Sequence, residues 1–144
     1  MSKIVFVNPP LTVEERYGVK HQSGGQTPPL GLTYLSAVTR KHGFETEIID
    51  ATVYDSDYNK TSEKIISSSP DYVGITAAAI AIDNADQLAR LIKSKRENIT
   101  IIVGGTHMTA VPDETMERYL SIDIGVIGER EITIIELLTA LEEE

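Results

Sequence analysis

Ile99-Thr-Ile-Ile-Val-Gly-Gly-Thr-His-Met-Thr-Ala-Val-Pro-Asp-Glu-Thr115 is the stretch that decides the fold. Thr100–Gly104 is a short apolar run, the pattern of a strand buried on both faces of a parallel sheet. Gly104 and Gly105 follow directly, Thr106-His107 makes a polar step, and Pro112 opens a short helix that runs to about Tyr119. A strand ending in two glycines presents no Cβ at the carboxyl edge, where open α/β sheets bind their ligands. A large flat group or a long tail can approach the backbone there. Taken by itself, the pair also reads as a turn that merely reverses the chain.

Working outward, four more apolar runs have the same character. Lys3–Asn8 is a continuous buried strand stopped by Pro9 and Pro10, and Glu45–Asp50 alternates early, as an edge strand does. Tyr72–Thr76 is the third strand and Ile122–Val126 the fifth. Helical patterns lie between them. Thr27-Pro28-Pro29 reads as a helix start with Thr27 as cap, Leu32, Leu35 and Val38 share one face, and Gly43 ends that helix. A weakly patterned helix covers about Lys60–Ser68, with Ile65 and Ile66 as its contacts. In the next helix Ile82, Ala85, Leu88, Ala89 and Ile92 form the apolar face. Gly128-Glu-Arg-Glu131 starts the last helix, whose buried face is Ile134, Ile135, Leu138 and Leu141.

Strands and helices therefore alternate five times. The pattern predicts a single α/β domain over residues 1–144, with a five-stranded parallel sheet in the flavodoxin-like order 2-1-3-4-5 and helices on both faces. A Rossmann-like half with extra strands is the alternative arrangement. Leu11–Thr27 is a long polar loop, a length that compact domains reserve for function or mobility.

Composition narrows the function. The 144 residues carry 41% apolar and 24% charged side chains, a net charge of −9 and no cysteine. No run is long enough to span a membrane and no signal-peptide pattern opens the chain, so a cytoplasmic location is expected. Without cysteine, this stretch supplies no disulfide, thiolate nucleophile or iron–sulfur ligand. The acidic balance, with no basic stripe, argues against nucleic acid.

The strand ends are Asn8-Pro9-Pro10, Asp50-Ala51, Thr76-Ala77-Ala78, Gly104-Gly105-Thr106-His107 and Ile127-Gly128-Glu129. Small uncharged residues dominate, and no nucleophile stands beside a base. The carboxylates and lysine of a phosphate-accepting receiver are missing from these positions. So are the hydroxyl-rich phosphate loop of a flavodoxin and the Gly-x-Gly-x-x-Gly of a dinucleotide site. What remains is an open slot for a ligand with a bulky planar body and a descending tail. Several of these residues have a plain structural reading as well. His107 supports the glycine turn, Asp50 forms an Asx-turn, Tyr34 packs its helix, and Glu129 answers the helix dipole.

The ordered set Asn8-Pro-Pro, Pro28-Pro-Leu-Gly-Leu-Thr-Tyr-Leu35, Gly43 with Ile48-Ile-Asp50, Asp71–Thr76, Ile102–His107 with Pro112-Asp-Glu114, and Gly128–Glu131 resembles the N-terminal cobalamin-binding domain of B12-dependent radical SAM proteins. The resemblance runs over nearly the whole chain. It implies a cobalamin whose corrin ring lies over the carboxyl edge and whose nucleotide tail enters the sheet. The implied contacts are Asn8, Pro9, Thr76, Ala77, Ala78, Gly104, Gly105, Thr106, His107, Gly128 and Glu129. It also implies a C-terminal radical SAM domain as partner, which would carry S-adenosylmethionine and the [4Fe-4S] cluster, so that this chain alone is not catalytic. Two features depart from the pattern. Arg130 stands where the family carries a small residue or glycine. The Asp-x-His-x-x-Gly signature that supplies an axial histidine in related B12 domains is missing after the first strand, and His21-Gln-Ser-Gly24 keeps only its His-x-x-Gly portion. No metal ligand is therefore assigned, and a base-off cobalamin without axial histidine is expected. His21 reads as a loop histidine or, alternatively, as a cobalt ligand. The competing functional reading is a stand-alone flavodoxin-like domain that binds a nucleotide or a sugar.

Overall fold

Five strands pair in parallel in a computed structural model that describes residues 2–12, 15, 29–53 and 56–144. They are β1 (Lys3–Asn8), β2 (Glu45–Asp50), β3 (Tyr72–Thr76), β4 (Thr100–Gly104) and β5 (Ile124–Val126), in the order β2-β1-β3-β4-β5. This is the flavodoxin-like order expected from the sequence, with β2 at an edge. The helices are α1 (Leu30–Lys41), α2 (Tyr58–Ser67), α3 (Ile82–Lys95), α4 (Thr106–Ala110), α5 (Pro112–Arg118) and α6 (Glu131–Glu143), and a 3₁₀ turn, Ala79–Ala81, leads into α3.

Alternation along each strand sends its side chains into two cores. Val5, Val7, Val73, Ile75, Ile101 and Val103 face α2, α3 and Met108 of α4. Ile4, Phe6, Tyr72, Ile102 and Val126 face Leu32 and Leu35 of α1 and Ile134 and Leu138 of α6. From β1 the chain first goes outward to β2, then returns to place β3 on the other side of β1. The carboxyl ends of β1 and β3 therefore border a topological switch point, where such sheets leave a crevice.

Several boundaries differ from the sequence reading, each for a local reason. The cap position of α1 is Pro29, whose carbonyl accepts from the Leu32 and Thr33 amides. Thr27 lies outside the described residues. Within α1, Thr39 is fully buried and Val38 only half-buried. Tyr34 is 64% exposed rather than packed, because Leu32, Leu35, Ser36 and Thr39 define the buried face. Helix α2 starts at Tyr58 because the Asp57 carboxylate accepts from the Lys60 amide at 2.7 Å, an N-cap. The helix expected at Pro112–Tyr119 is preceded by a second one, α4. Val111 separates the two with φ −139°, in keeping with the bar on α conformation before proline. Strand β5 begins at Ile124, and Ile122 is buried just ahead of it. Helix α6 begins at Glu131, since Gly128 turns the chain with φ +72°. No helix among the described residues is long and apolar enough to cross a membrane.

Candidate functional site

Two rows of side chains cross the sheet beneath α1 and α6. In one row Phe6, Gly74 and Ile102 stand in register, and in the next Thr76, Gly104 and Val126. Glycine at 74 and 104 removes two side chains from neighbouring central strands. The result is a trough over β3 and β4, with Leu32 and Leu35 of α1 on one side and Ile134 of α6 on the other. With Arg130 across its top the groove is narrow, with a cavity volume of about 30 Å³, so a ligand ring enters only when side chains over it move. Its lining is apolar except for Thr76 and Arg130. Above it, at the carboxyl edge, lies a wider bowl of about 420 Å³ that Asn8, Gly31, Thr76, Ala78, Ile80 and Arg130 help to form.

The floor is set closely. A Cβ on Gly74 would stand 3.0 Å from Cδ1 and 3.2 Å from Cε1 of Phe6, so this ring leans over the glycine. A Cβ on Gly104 would meet Arg130 Cδ at 3.2 Å and the Val126 carbonyl oxygen at 3.7 Å. Gly104 thus borders the groove directly. Gly105 has a different task. Its φ is +123°, and a Cβ there would fall 2.4 Å from the Ala77 carbonyl oxygen. Around it the Ala77 amide donates to the Gly104 carbonyl at 2.9 Å, and the His107 amide donates to the Ala77 carbonyl at 3.4 Å. Gly105 therefore closes a backbone seam between the exits of β3 and β4. Of the two glycines expected to open a ligand's path, Gly104 borders the groove and Gly105 does not.

The polar end of the site is organised at the exit of β1. Asp50 Oδ1 accepts from the Thr52 amide at 3.2 Å, from Thr52 Oγ1 at 2.7 Å and from Asn8 Nδ2 at 3.0 Å. The first of these is the expected Asx-turn. Asp50 takes one Asn8 Nδ2 hydrogen, which leaves the second Nδ2 hydrogen as a donor and the side-chain Oδ1 as an acceptor for a ligand in the bowl. The buried Asn84 side chain on α3 donates to the Pro10 carbonyl at 2.8 Å, which ties the Pro9-Pro10 turn to the helix behind it.

Of the expected contacts, the fold brings Asn8, Thr76, Ala78 and Gly104 together around the groove and bowl. Pro9, Ala77 and Gly105 are buried behind that surface. Thr106 and His107 begin α4. The Gly128 amide donates to Thr109 Oγ1 at 3.1 Å, and Glu129 is exposed, ahead of the first turn of α6 rather than within it. None of these seven lines the groove or the bowl. His21 and the loop around it lie outside the described residues. No group of histidine, cysteine or carboxylate side chains among the described residues can hold a metal ion. The sequence reading passed over Gly74, Phe6, Gly31 and Ile134. Gly74 carried a usable signal, since glycine inside a central strand marks close approach by a ligand or another chain.

The fold and this groove define a class: an open α/β domain with a bowl at its carboxyl edge and an apolar groove between α1 and α6. The chain belongs to the B12-binding domain family, whose model matches residues 17–138. It is 37% identical over 139 residues to the uncharacterised methyltransferase PH0819 of Pyrococcus horikoshii, a match over 96% of this chain and 29% of that protein. It is 31% identical over 120 residues to the anaerobic magnesium-protoporphyrin IX monomethyl ester cyclase of Rubrivivax gelatinosus, covering 83% of this chain and 22% of that one. The chain thus spans less than a third of the length of these relatives. Among solved structures, the radical S-adenosylmethionine methyltransferase TsrM of Kitasatospora setae, bound to cobalamin and a [4Fe-4S] cluster, superposes with a TM-score of 0.77 at 22% identity, over 99% of this chain and 27% of that one. The chemotaxis response regulator CheY4 of Vibrio cholerae shares the fold, with a TM-score of 0.61 at 10% identity over 97% of this chain and 98% of that one. The residues present fit cobalamin on their own chemistry. The apolar groove suits a benzimidazole base, and the bowl, with the Asn8 carbonyl at its edge, suits a corrin rimmed by amides. The domain is a cobalamin-binding module.

Proposed function

We propose that this module holds cobalamin base-off, with the nucleotide tail in the groove between α1 and α6 and no histidine of this chain on the cobalt, and that it serves a radical SAM domain of the same protein. The single observation that carries the reading is the trough left by Gly74 and Gly104, continuous with the bowl at the carboxyl edge. A base lodged in that trough is a base removed from the cobalt. The bound cofactor would supply cobalt-centred alkyl-group or redox chemistry. The residues named here bind it, orient it and keep water from its tail. Asn8, Thr76, Ala78 and Gly104 are the contacts this reading favours, with Gly74 added. The remaining expected contacts, Pro9, Ala77, Gly105, Thr106, His107, Gly128 and Glu129, shape or flank the surface. S-adenosylmethionine and the iron–sulfur cluster belong to the companion domain in this reading, since these 144 residues contain no cysteine to bind a cluster.

Mixing the protein with hydroxocobalamin and desalting should leave corrinoid absorbance on the protein at stoichiometric level. A protein that stays colourless while retaining FMN would instead favour the nucleotide-binding reading. After reduction to Co(II), the electron paramagnetic resonance lines should be unsplit by nitrogen in wild type and in His21→Ala alike. Triplets lost in His21→Ala would make His21 the ligand and overturn the ligand-free assignment. Triplets that persist would place the cofactor's own base or His107 on the cobalt. A Cys-x-x-x-Cys-x-x-Cys segment read from the gene beyond codon 144 is the expected mark of the radical SAM partner.

A further inference from the structure

Arg130 lies across the top of the groove. A Cβ on Gly104 of β4 would stand 3.2 Å from its Cδ, and a Cβ on Gly31 of α1 would stand 3.7 Å from its Nη2. The side chain therefore reaches from the start of α6 over β4 to α1, and it borders both the apolar groove and the wider bowl at the carboxyl edge. Its backbone is fixed, because its carbonyl accepts the Ile134 amide at 2.9 Å. The guanidinium is half-buried, yet among the described residues no carboxylate pairs with it and no carbonyl accepts from it. A partly desolvated cation with five donors and no acceptor is costly, and an incoming anion relieves that cost. Acidic side chains outnumber basic ones in the sequence, 22 to 13, yet none among the described residues pairs with this cation.

We propose that Arg130 is the receptor for the phosphodiester of the cobalamin tail, and that it swings off the top of the groove to admit the base before pairing with that phosphate. The inference rests on the cobalamin reading given above. In cobalamin the phosphodiester joins the corrin-side arm to the ribose of the base. A base in the groove and a ring over the bowl put that phosphate at the boundary between the two, and Arg130 stands at that boundary. A planar guanidinium binds phosphate through paired hydrogen bonds, which an ammonium cannot reproduce.

The test compares hydroxocobalamin with cobinamide, the same ring without phosphate, ribose or base. Affinities are measured on the chain of 144 residues by absorbance titration. Arg130→Gln should weaken hydroxocobalamin binding about tenfold or more, the scale of one lost charged hydrogen bond. It should leave cobinamide affinity within about twofold, as expected for a contact confined to the tail. Arg130→Lys should fall between wild type and Arg130→Gln. Added KCl should weaken hydroxocobalamin binding to wild type more than to Arg130→Gln. An Arg130→Gln variant, folded by circular dichroism, that binds hydroxocobalamin as tightly as wild type would reduce Arg130 to a filler of the groove and overturn the proposal. Equal losses for both ligands would make it a prop for the ring site and overturn the phosphate role. Wild type that binds neither ligand would overturn the cobalamin reading and this inference with it, an outcome distinct from the other two.

Discussion

Gly104 and Gly105 are neighbours in sequence and do unrelated work. Gly104 lacks a positive φ, and the nearest atom to a Cβ there is Cδ of the flexible Arg130 side chain at 3.2 Å, so a larger side chain displaces Arg130 and fills the groove rather than straining the backbone. Gly104→Val should remain folded by circular dichroism and lose cobalamin on desalting. Normal retention in the folded variant would show that the tail runs elsewhere. Gly105→Ala places a Cβ 2.4 Å from the Ala77 carbonyl at φ +123°. It should lower stability in urea by roughly 2 kcal/mol or more, since steric overlap adds to the cost of that backbone conformation. Equal urea midpoints for Gly105→Ala and wild type would remove the seam argument. The sequence announced an opening at this pair but could not divide the labour, because φ is decided by where Ala77 passes. Gly74 was visible as a glycine in a central strand and gained meaning only from its register with Phe6. Arg130 was visible as a charge at a helix start. Its reach to Gly31 depends on α1 and α6 lying side by side, which no local pattern encodes.

Elements were more legible than contacts, because each strand is a continuous apolar run and each long helix carries a clear stripe. Helix α4 escaped notice because it is five residues long and secures itself with one deeply buried side chain, Met108. Leu32, Leu35 and Ile134 were read as core residues, and they are, but their helices do not meet the floor of the sheet everywhere. The same stripe therefore lines the groove. Periodicity identifies an apolar face without saying how much of it the protein itself covers. At the opposite edge, β2 is bonded to its surroundings through Glu47. Ser68 Oγ donates to its carboxylate at 2.5 Å and Lys3 Nζ stands 3.2 Å away, and together they hold the Glu47 carboxyl below its ordinary value against the opposing effect of burial. A carboxyl depressed in the folded state contributes stability that is fully present above its unfolded pKa and is lost as pH falls through the folded value. Ser68→Ala should raise the Glu47 titration midpoint measured by NMR and flatten the acid side of the stability curve. An unmoved midpoint would assign the depression to Lys3 and Lys64 instead.

At the scale of the whole molecule, the doubly wound sheet does no more than raise five strand ends to one edge. The same arrangement serves receivers and cofactor carriers alike, so the fold places a site without specifying its chemistry. The small residues at those ends excluded a receiver and a flavodoxin, and it was the resemblance of six ordered segments to a B12-binding domain that supplied cobalamin. The sequence did not reach the depth of the site, because the groove lies between the first and last helices and exists only once both are docked. That placement also bears on cohesion. Helices α1 and α6 flank the groove, so on the proposed reading bound cobalamin would become a piece of the second core. Detaching α6 from the free protein forfeits less packing than detaching α3, since α6 buries Ile134 and Leu138 where α3 buries seven side chains, while detaching it from a loaded protein would first require the cofactor to leave. Amide hydrogens of α6 should therefore exchange with solvent well ahead of those of α3 in the free protein. With saturating hydroxocobalamin they should join the slow class, as expected when opening is coupled to ligand release. Unchanged α6 exchange on loading would mean that the last helix is held independently of what it encloses.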